Sequence, residues 1–512
     1  MTTLPEGPAR AEAALLAGLS GALLAVRLYA ASRVGFGDSE ALYAAYALHP
    51  QPAYLDHPGL VGIVARTIGE GTAPSPERTH AVTSVLATLV PGAMALFCRA
   101  AGASWRRSLI TAVVVALVPE IAIGLFALTP DLLLALLWMG SLTLAAVALR
   151  APPGGGRASL AFAGAGLLAG AAAASKVTGI LLIASLVATY AARGARAHAR
   201  TVAPWAGIGV GLVVLVPIVR FEARTGWPML VHRLADTQSD AGVSLRNLAV
   251  LVGGQLAYLS PLVAVLAVLG ARGSWRQWRA ARAARLDDGQ AAADSAIAAL
   301  LFFASAIPAG VLVPLALWSR VAEPHWIAPA LLSLGPSLAR APAAPPRRLV
   351  IASAATAAAI VAGVHAWILV PGALRLAPAS YDARYDIANE LYGWPEALSV
   401  VRNEVAAQAS PGLEDVSVVG PHWVICAQLE ADLRGDVHVG CDTPIPDDFD
   451  GWWPRNRWRT ADSIVWVTDE RFGLPAPPPS HALFDVRKVR IKRADRVVRT
   501  FTIAVWVRRA EG

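Results

Sequence analysis

Apolar runs of roughly 15 to 24 residues recur along about the first 370 positions, and they constrain this chain more than any other feature. A helix rises about 1.5 Å per residue, so about 20 apolar residues match the roughly 30 Å hydrocarbon core of a bilayer. Spans are expected near 11–31, 80–98, 108–126, 131–149, 159–175, 178–192, 202–220, 247–270, 296–318, 326–339 and 349–370, about eleven in all. Only 16% of the residues are charged, where a soluble domain carries roughly a quarter. The first run, Ala11 to Ala31, is long and has no clear small-residue cleavage site, so it reads as a retained span.

The net charge of +8 is explained by topology. With the N-terminus in the cytoplasm, the inward loops hold Arg99, Arg106, Arg107, Arg150, Arg157, Arg193, Arg196, Arg200, the arginines of 272–285, and Arg340, Arg347 and Arg348. That is roughly twice the basic content of the short outward loops, as the positive-inside rule requires. An odd number of spans then puts the tail outside. Nucleic-acid binding is excluded, because no soluble module carries a basic face with aromatic platforms. The Ala- and Arg-rich, lysine-poor composition suggests a GC-rich bacterial genome, hence a bacterial inner membrane.

Beyond residue 370 the pattern changes. Short apolar runs at Val416–Val419, Val437–Val439, Ser463–Thr468 and Thr500–Val507 read as strands between turn-rich stretches, and Asp386–Gln408 reads as a helix. The expected fold is therefore an α-helical polytopic membrane domain, 1–370, followed by a small extracytoplasmic α/β or α+β domain, 371–512. Cys98 reads as a core residue. Cys426 and Cys441 are 15 positions apart; outside the cytoplasm they are free to form a disulfide, and otherwise they are two buried thiols.

Two outward segments, 32–79 and 221–246, are too long for simple turns and are expected to carry function. The first contains Gly37-Asp38-Ser39-Glu40-Ala41-Leu42-Tyr43, then His49-Pro50, then Tyr54-Leu55-Asp56-His57-Pro58-Gly59-Leu60. Asp38 opens a short helix that His49-Pro50 would end, and Asp56-His57 precede a second with Pro58 at an early position. Acidic residues beside spans are costly unless they face a polar cavity. Moving a sugar from a lipid phosphate needs a carboxylate to take the acceptor proton and cations to stabilise the departing phosphate.

The pattern D-S-E-A-L-Y…H-P…Y-L-D-H-P-G-L at 38–60 resembles the first loop of the GT-C superfamily branch that contains protein O-mannosyltransferases and lipid A aminoarabinose or galacturonic acid transferases. Further pieces follow in order: Thr129-Pro130-Asp131, Ser175-Lys176-Val177-Thr178-Gly179, Glu323-Pro324-His325-Trp326 and Cys426-Ala427-Gln428-Leu429. The resemblance implies an inverting glycosyltransferase using a polyprenyl-phosphate sugar, with an envelope glycolipid, a polysaccharide or a protein as acceptor. It implies Asp38 as general base, with Glu40, Asp56 and Asp131 as further candidate catalytic carboxylates. Lys176, Arg320, His57 and His325 are the candidate ligands of the donor phosphate. Relatives can carry a lysine where this chain has His57, and histidine is not assured a charge at neutral pH. Asp38-Ser39-Glu40 has oxygen donors suited to magnesium or manganese, but the branch is generally metal-independent, so no cofactor is expected. The competing reading is a transporter or flippase of lipid-linked sugars. It would more often show two similar halves with matching broken helices, and the chain has no such halves.

Overall fold

The computed structural model describes residues 9–239, 241–286, 288–321, 323–409 and 415–509. Among them seven helices are long and apolar enough to cross a membrane: Arg10–Ala31, Pro76–Ala100, Pro130–Arg150, Gly156–Ser175, Ala203–Thr225, Gly289–Trp318 and Arg347–Leu369. Three further pairs qualify only when joined across a bend: Trp105–Ala116 with Pro119–Phe126, at 72°, Val177–Ala191 with Arg193–Ala199, at 75°, and Leu245–Leu259 with Pro261–Ala283, at 102°. That makes seven to ten, below the eleven expected. The difference has local causes. Pro119 and Pro261 lack the N–H that would continue a helix and clash with the preceding turn. The run at 326–339 contains Pro329, Gly335 and Pro336 and is broken into Pro324–Ile327, Ala328–Leu332 and Leu334–Ala339.

Backbone carbonyls freed by such breaks need partners, because lipid offers none. The break after Ala116 is served by Arg27, whose Nε donates to Ala122 O at 3.1 Å and whose Nη2 donates to Ile121 O at 2.6 Å. Elsewhere small residues let helices touch. Gly166 and Gly170 meet Gly207 and Gly211 of the Ala203–Thr225 helix so closely that a Cβ on Gly166 would lie 1.7 Å from Gly207 O.

The C-terminal domain holds one five-stranded sheet: β1 Val416–Gly420, β2 His438–Cys441, β3 Ser463–Asp469, β4 His481–Arg493 and β5 Arg496–Arg508, in the order β2-β1-β3-β5-β4. β1 pairs in parallel with β2 and β3, and β5 pairs antiparallel with β3 and β4. The expected helix at Asp386–Gln408 begins instead as a short 3-10 turn, Ile387–Leu391, and is α-helical from Trp394. Gly393 separates the two with φ +87°, where any Cβ would strike Ile491. β4 is an unforeseen strand. It is an exposed edge whose sequence, His481-Ala-Leu-Phe-Asp-Val-Arg-Lys-Val-Arg-Ile-Lys-Arg493, lacks a clean apolar alternation. Cys426 and Cys441 form a disulfide that ties the Trp423–Leu433 helix to β2; closing a loop of this length is worth roughly 3 kcal/mol.

One apolar core joins this domain to the first long loop. Phe36, Leu42, Tyr46 and Tyr54 of the loop pack in the same cluster as Leu374, Trp394, Val418, Ile425 and Phe501. Polar ties reinforce it. Gln428 Nε2 donates to Phe36 O at 2.9 Å, His49 pairs with Glu430 at 2.8 Å, and Asp448 accepts from Leu55 N at 3.1 Å and Tyr46 Oη at 3.2 Å. The loop is thus held as a rigid platform between the membrane helices and the sheet.

Candidate active site

Asp38 is the first residue of the Asp38–Ala45 helix, following Gly37 in extended conformation. An acidic residue there is favoured by the helix dipole. Its partners come from the C-terminal domain. Oδ2 accepts from Arg471 Nη1 at 2.7 Å, and the Asp38 N–H donates to Glu390 Oε2 at 3.3 Å. Oδ1 is buried and has no hydrogen-bond partner among the described residues.

Arg471 is itself clamped. Its Nε and Nη2 donate to Asp469 at 3.0 and 2.8 Å, and Asp469 also accepts from Arg499 Nη2 at 2.8 Å. Burial would raise the Asp469 carboxyl, but the hydrogen bond from Arg471 and the two guanidinium charges outweigh it and hold it below the usual carboxylate range. At Glu390 the Asp38 N–H and the charges of Arg471 and Arg499 compensate only in part. Burial, with the Asp38 charge adding to it, pushes its carboxyl up to about 7.

Glu40 faces another way, since residues two apart on a helix point to opposite sides. It is buried, and both oxygens are taken: Oε2 by His80 Nε2 at 2.8 Å and Oε1 by the Leu128 N–H at 2.7 Å. It therefore does not sit beside the Asp38 carboxylate. It joins the loop helix to the Pro76–Ala100 helix and to the segment leading into Pro130.

A second group gathers most of the other predicted residues. Asp131 lies at the start of the Pro130–Arg150 helix, behind a proline whose missing N–H costs nothing there. Lys176 is extended, between the Gly156–Ser175 helix and the turn Val177–Gly179, and this break aims its side chain inward. Gly179 makes the turn possible, because a Cβ there would lie 2.4 Å from Ala172 O. Lys176 Nζ donates to both oxygens of Asp131 at 2.8 and 2.9 Å. His325 Nε2 is 3.7 Å from Asp131, and its Nδ1 is 3.1 Å from Glu323. Asp56 pairs with Arg233 at 2.9 Å, with His232 at 3.6 Å.

His57 is buried. Desolvation and the nearby charges of Arg233, Lys176 and His325 hold its imidazole well below the usual range, so it is neutral at pH 7. Pro58 precedes the Leu60–Ile68 helix rather than lying within it. Tyr43, on the same helix as Asp38, turns towards this second group; burial and then the charges of Asp56 and Asp131 raise its hydroxyl. Arg320 stands at its exposed rim, with its N–H donating to Gln238 Oε1 at 3.0 Å and Nη1 reaching Ser239 Oγ at 3.5 Å.

The second group opens onto a cavity of about 580 Å3. Its walls are apolar, among them Met94, Ile110, Val114, Leu134, Leu266 and Leu334. Glu120 and Asp131 line it, as do Arg106, Arg107 and Arg347. Arg106 and Glu120 lie at opposite ends of the Trp105–Ala116 helix and its break, so the cavity extends along the length of that helix. Among the described residues no three His, Cys, Asp or Glu side chains are clustered as a metal site requires.

The partners of Asp38 were not identified from sequence. Asp469 and Arg471 are two charges after a strand, a weak signal, and Arg471 lies 433 positions from its partner. Arg233 falls in the second long outward segment, 221–246, which was expected to carry function.

Residues 76–221 match the family model of dolichyl-phosphate-mannose-protein mannosyltransferase. No curated protein matches the chain. Among solved structures, ArnT from Cupriavidus metallidurans in the apo state aligns over 95% of this chain and 97% of its own, at 14% identity and a TM-score of 0.57. ArnT from the same organism bound to undecaprenyl phosphate aligns over the same shares, at 16% identity and a TM-score of 0.55. The Archaeoglobus fulgidus oligosaccharyltransferase tethered to an acceptor peptide aligns over 90% of this chain and 69% of its own, at 12% identity and a TM-score of 0.52. The chain is thus a multi-pass membrane protein with the fold of ArnT.

Proposed function

We propose that this protein is an inverting glycosyltransferase that moves a sugar from a polyprenyl-phosphate donor to a glycolipid, polysaccharide or protein acceptor. The carrying observation is the apolar cavity of about 580 Å3 that Asp131 lines, with Lys176 donating to Asp131 beside it. A lipid tail fits apolar walls, and a phosphate fits Lys176 and His325, which are gathered around Asp131. That ArnT has been solved with undecaprenyl phosphate supports the same donor class here.

In this reading the acceptor oxygen or nitrogen attacks the anomeric carbon, and the bond from that carbon to the phosphate oxygen breaks. The polyprenyl phosphate leaves with the bonding electrons, and the acceptor proton passes to Oδ1 of Asp38. Lys176, Arg233 and His325 stabilise the charge that develops on the phosphate, with Arg320 at the rim. Asp131 and Asp56 hold Lys176 and Arg233 in place. His57, neutral, contributes shape and a hydrogen bond rather than charge. Glu40 anchors the catalytic helix. The arginine distribution supports an N-terminus in the cytoplasm of a bacterial inner membrane, with the site and the C-terminal domain on the outer face.

The test is sugar transfer by the purified protein in lipid nanodiscs, with radiolabelled polyprenyl-phosphate pentoses and hexoses and a panel of envelope glycolipids, polysaccharides and peptides. Transfer by wild type that disappears in Asp38→Asn supports the reading. Absence of transfer with every donor, together with donor translocation across vesicles, would replace it with transport.

A further inference from the structure

We infer that Arg471, from the C-terminal domain, is a positioning residue for the base: it fixes Oδ2 of Asp38 and leaves Oδ1 open to the acceptor. The inference rests on the proposed function and deepens it. Four observations carry it. Asp38 is 5% exposed, so its carboxylate has little water to orient it. Among the described residues only one of its two oxygens is engaged, by a guanidinium at 2.7 Å, while the other is buried without a partner. A buried carboxylate oxygen lacking any donor is costly, unless a substrate group completes it. Finally, Arg471 is not a loose surface arm. Its other nitrogens are locked on Asp469, and Asp469 is locked by Arg499, which lies against the paired rings of Trp394 and Phe501 in the domain core, its guanidinium carbon 4.7 and 4.5 Å from the ring centroids.

The line Arg499–Asp469–Arg471–Asp38 therefore carries the rigidity of the sheet to the reacting carboxylate. A catalytic group must be held within about half an ångström of its productive place, and a loop helix of about two turns does not achieve that alone. The groups around Asp38 are Glu390 on the neighbouring 3-10 turn and His422 before the Trp423–Leu433 helix, and neither is a fixed cation. Arg471 alone among the groups touching the Asp38 carboxylate supplies a permanent charge and a directed donor. The C-terminal domain is then part of the catalytic apparatus.

The test compares Arg471→Gln and Arg471→Lys with wild type and Asp38→Asn in the transfer assay, with thermal unfolding measured on each. Arg471→Gln is expected to lose about tenfold to a hundredfold in kcat, with donor KM within about threefold, because Arg471 does not contact the donor-phosphate cations. Arg471→Lys should recover most of the loss. A merely structural strut would lower the unfolding temperature and active fraction of both variants alike, without the recovery. Wild-type transfer that is lost in Asp38→Asn yet kept within threefold in Arg471→Gln overturns the positioning role alone. Faster turnover in Arg471→Gln overturns it too, since the contact would then be a restraint. Absence of transfer by wild type overturns both the positioning role and the function it rests on.

Discussion

The Asp38 group and the Asp131 group both reach the Asp38–Ala45 helix, one through Asp38 and the other through Tyr43, yet they are built differently. Asp38 takes its partners from the C-terminal domain, hundreds of positions away, and they form a closed chain of ion pairs. Asp131 takes its partner from the next membrane helix but one end of its group lies open to an apolar cavity. A closed, clamped carboxylate suits a proton acceptor that must not wander. An open pair suits a binding site whose cation changes partner when a phosphate arrives. Under the proposed function, proton transfer falls to the domain-held group and donor binding to the membrane-held one.

The largest effect that would break it is at Asp38. Asp38→Asn keeps size and shape but removes the proton acceptor, so kcat should fall by about a hundredfold or more, with donor binding unchanged by titration of a labelled polyprenyl phosphate. Loss of donor binding instead would move Asp38 into the second group.

Next comes Lys176. Lys176→Gln should raise donor KM and lower kcat/KM by about tenfold to a hundredfold. It also leaves Asp131 without its cation, and breaking a buried pair costs about 3–5 kcal/mol. The double variant Asp131→Asn with Lys176→Gln removes that penalty. It should recover the unfolding temperature but not donor use. Recovery of both would make the pair a structural brace and empty the second group of its role.

These predictions separate what could be read along the chain from what could not. Asp131 and Lys176 were readable because each breaks an apolar run, and a charge inside such a run needs a reason. Asp38 was readable because it opens a helix at a span's end. Arg471, Asp469 and Arg499 sit in a charged tail of ordinary composition, and only the folding of β3 and β5 side by side, with Asp469 opposite Phe501, brings them together. The spans were legible as apolar runs, but their continuity was not. Proline at 119 and 261 and the Pro329–Pro336 stretch decide whether a run crosses as one helix, and that depends on partners such as Arg27 for the freed carbonyls. β4 was missed because burial is confined to the ends of this edge strand, at His481, Ile491 and Arg493, and so imposes no alternation along its length.

A smaller effect is expected at Glu40, which sequence placed beside Asp38 and which the structure turns towards His80 and Leu128. Glu40→Gln keeps the shape and one acceptor, so it should cost about 1–3 kcal/mol in stability and change kcat by no more than about threefold below the unfolding transition. A loss as deep as that of Asp38→Asn, with the same unfolding temperature as wild type, would return Glu40 to the chemistry.

The smallest effect is a pH signature confined to the domain-held group. Glu390 has its carboxyl at about 7 in the folded chain against 4.5 ordinarily. Between those values the folded protein keeps a proton that the unfolded chain has released, so this group's contribution to stability falls as pH rises through that window. Below it the contribution is constant, and above it the full penalty persists. Glu390→Gln removes the penalty. Its unfolding temperature should match wild type near pH 4.5 and exceed it by a few degrees at pH 8. Because the Asp38 charge is part of the cause, the gain at pH 8 should shrink in an Asp38→Asn background, whereas the Asp131→Asn, Lys176→Gln background should leave it whole. Equal gains in all three backgrounds would mean that Glu390 does not sense Asp38, and that the two groups are less distinct than their geometry indicates.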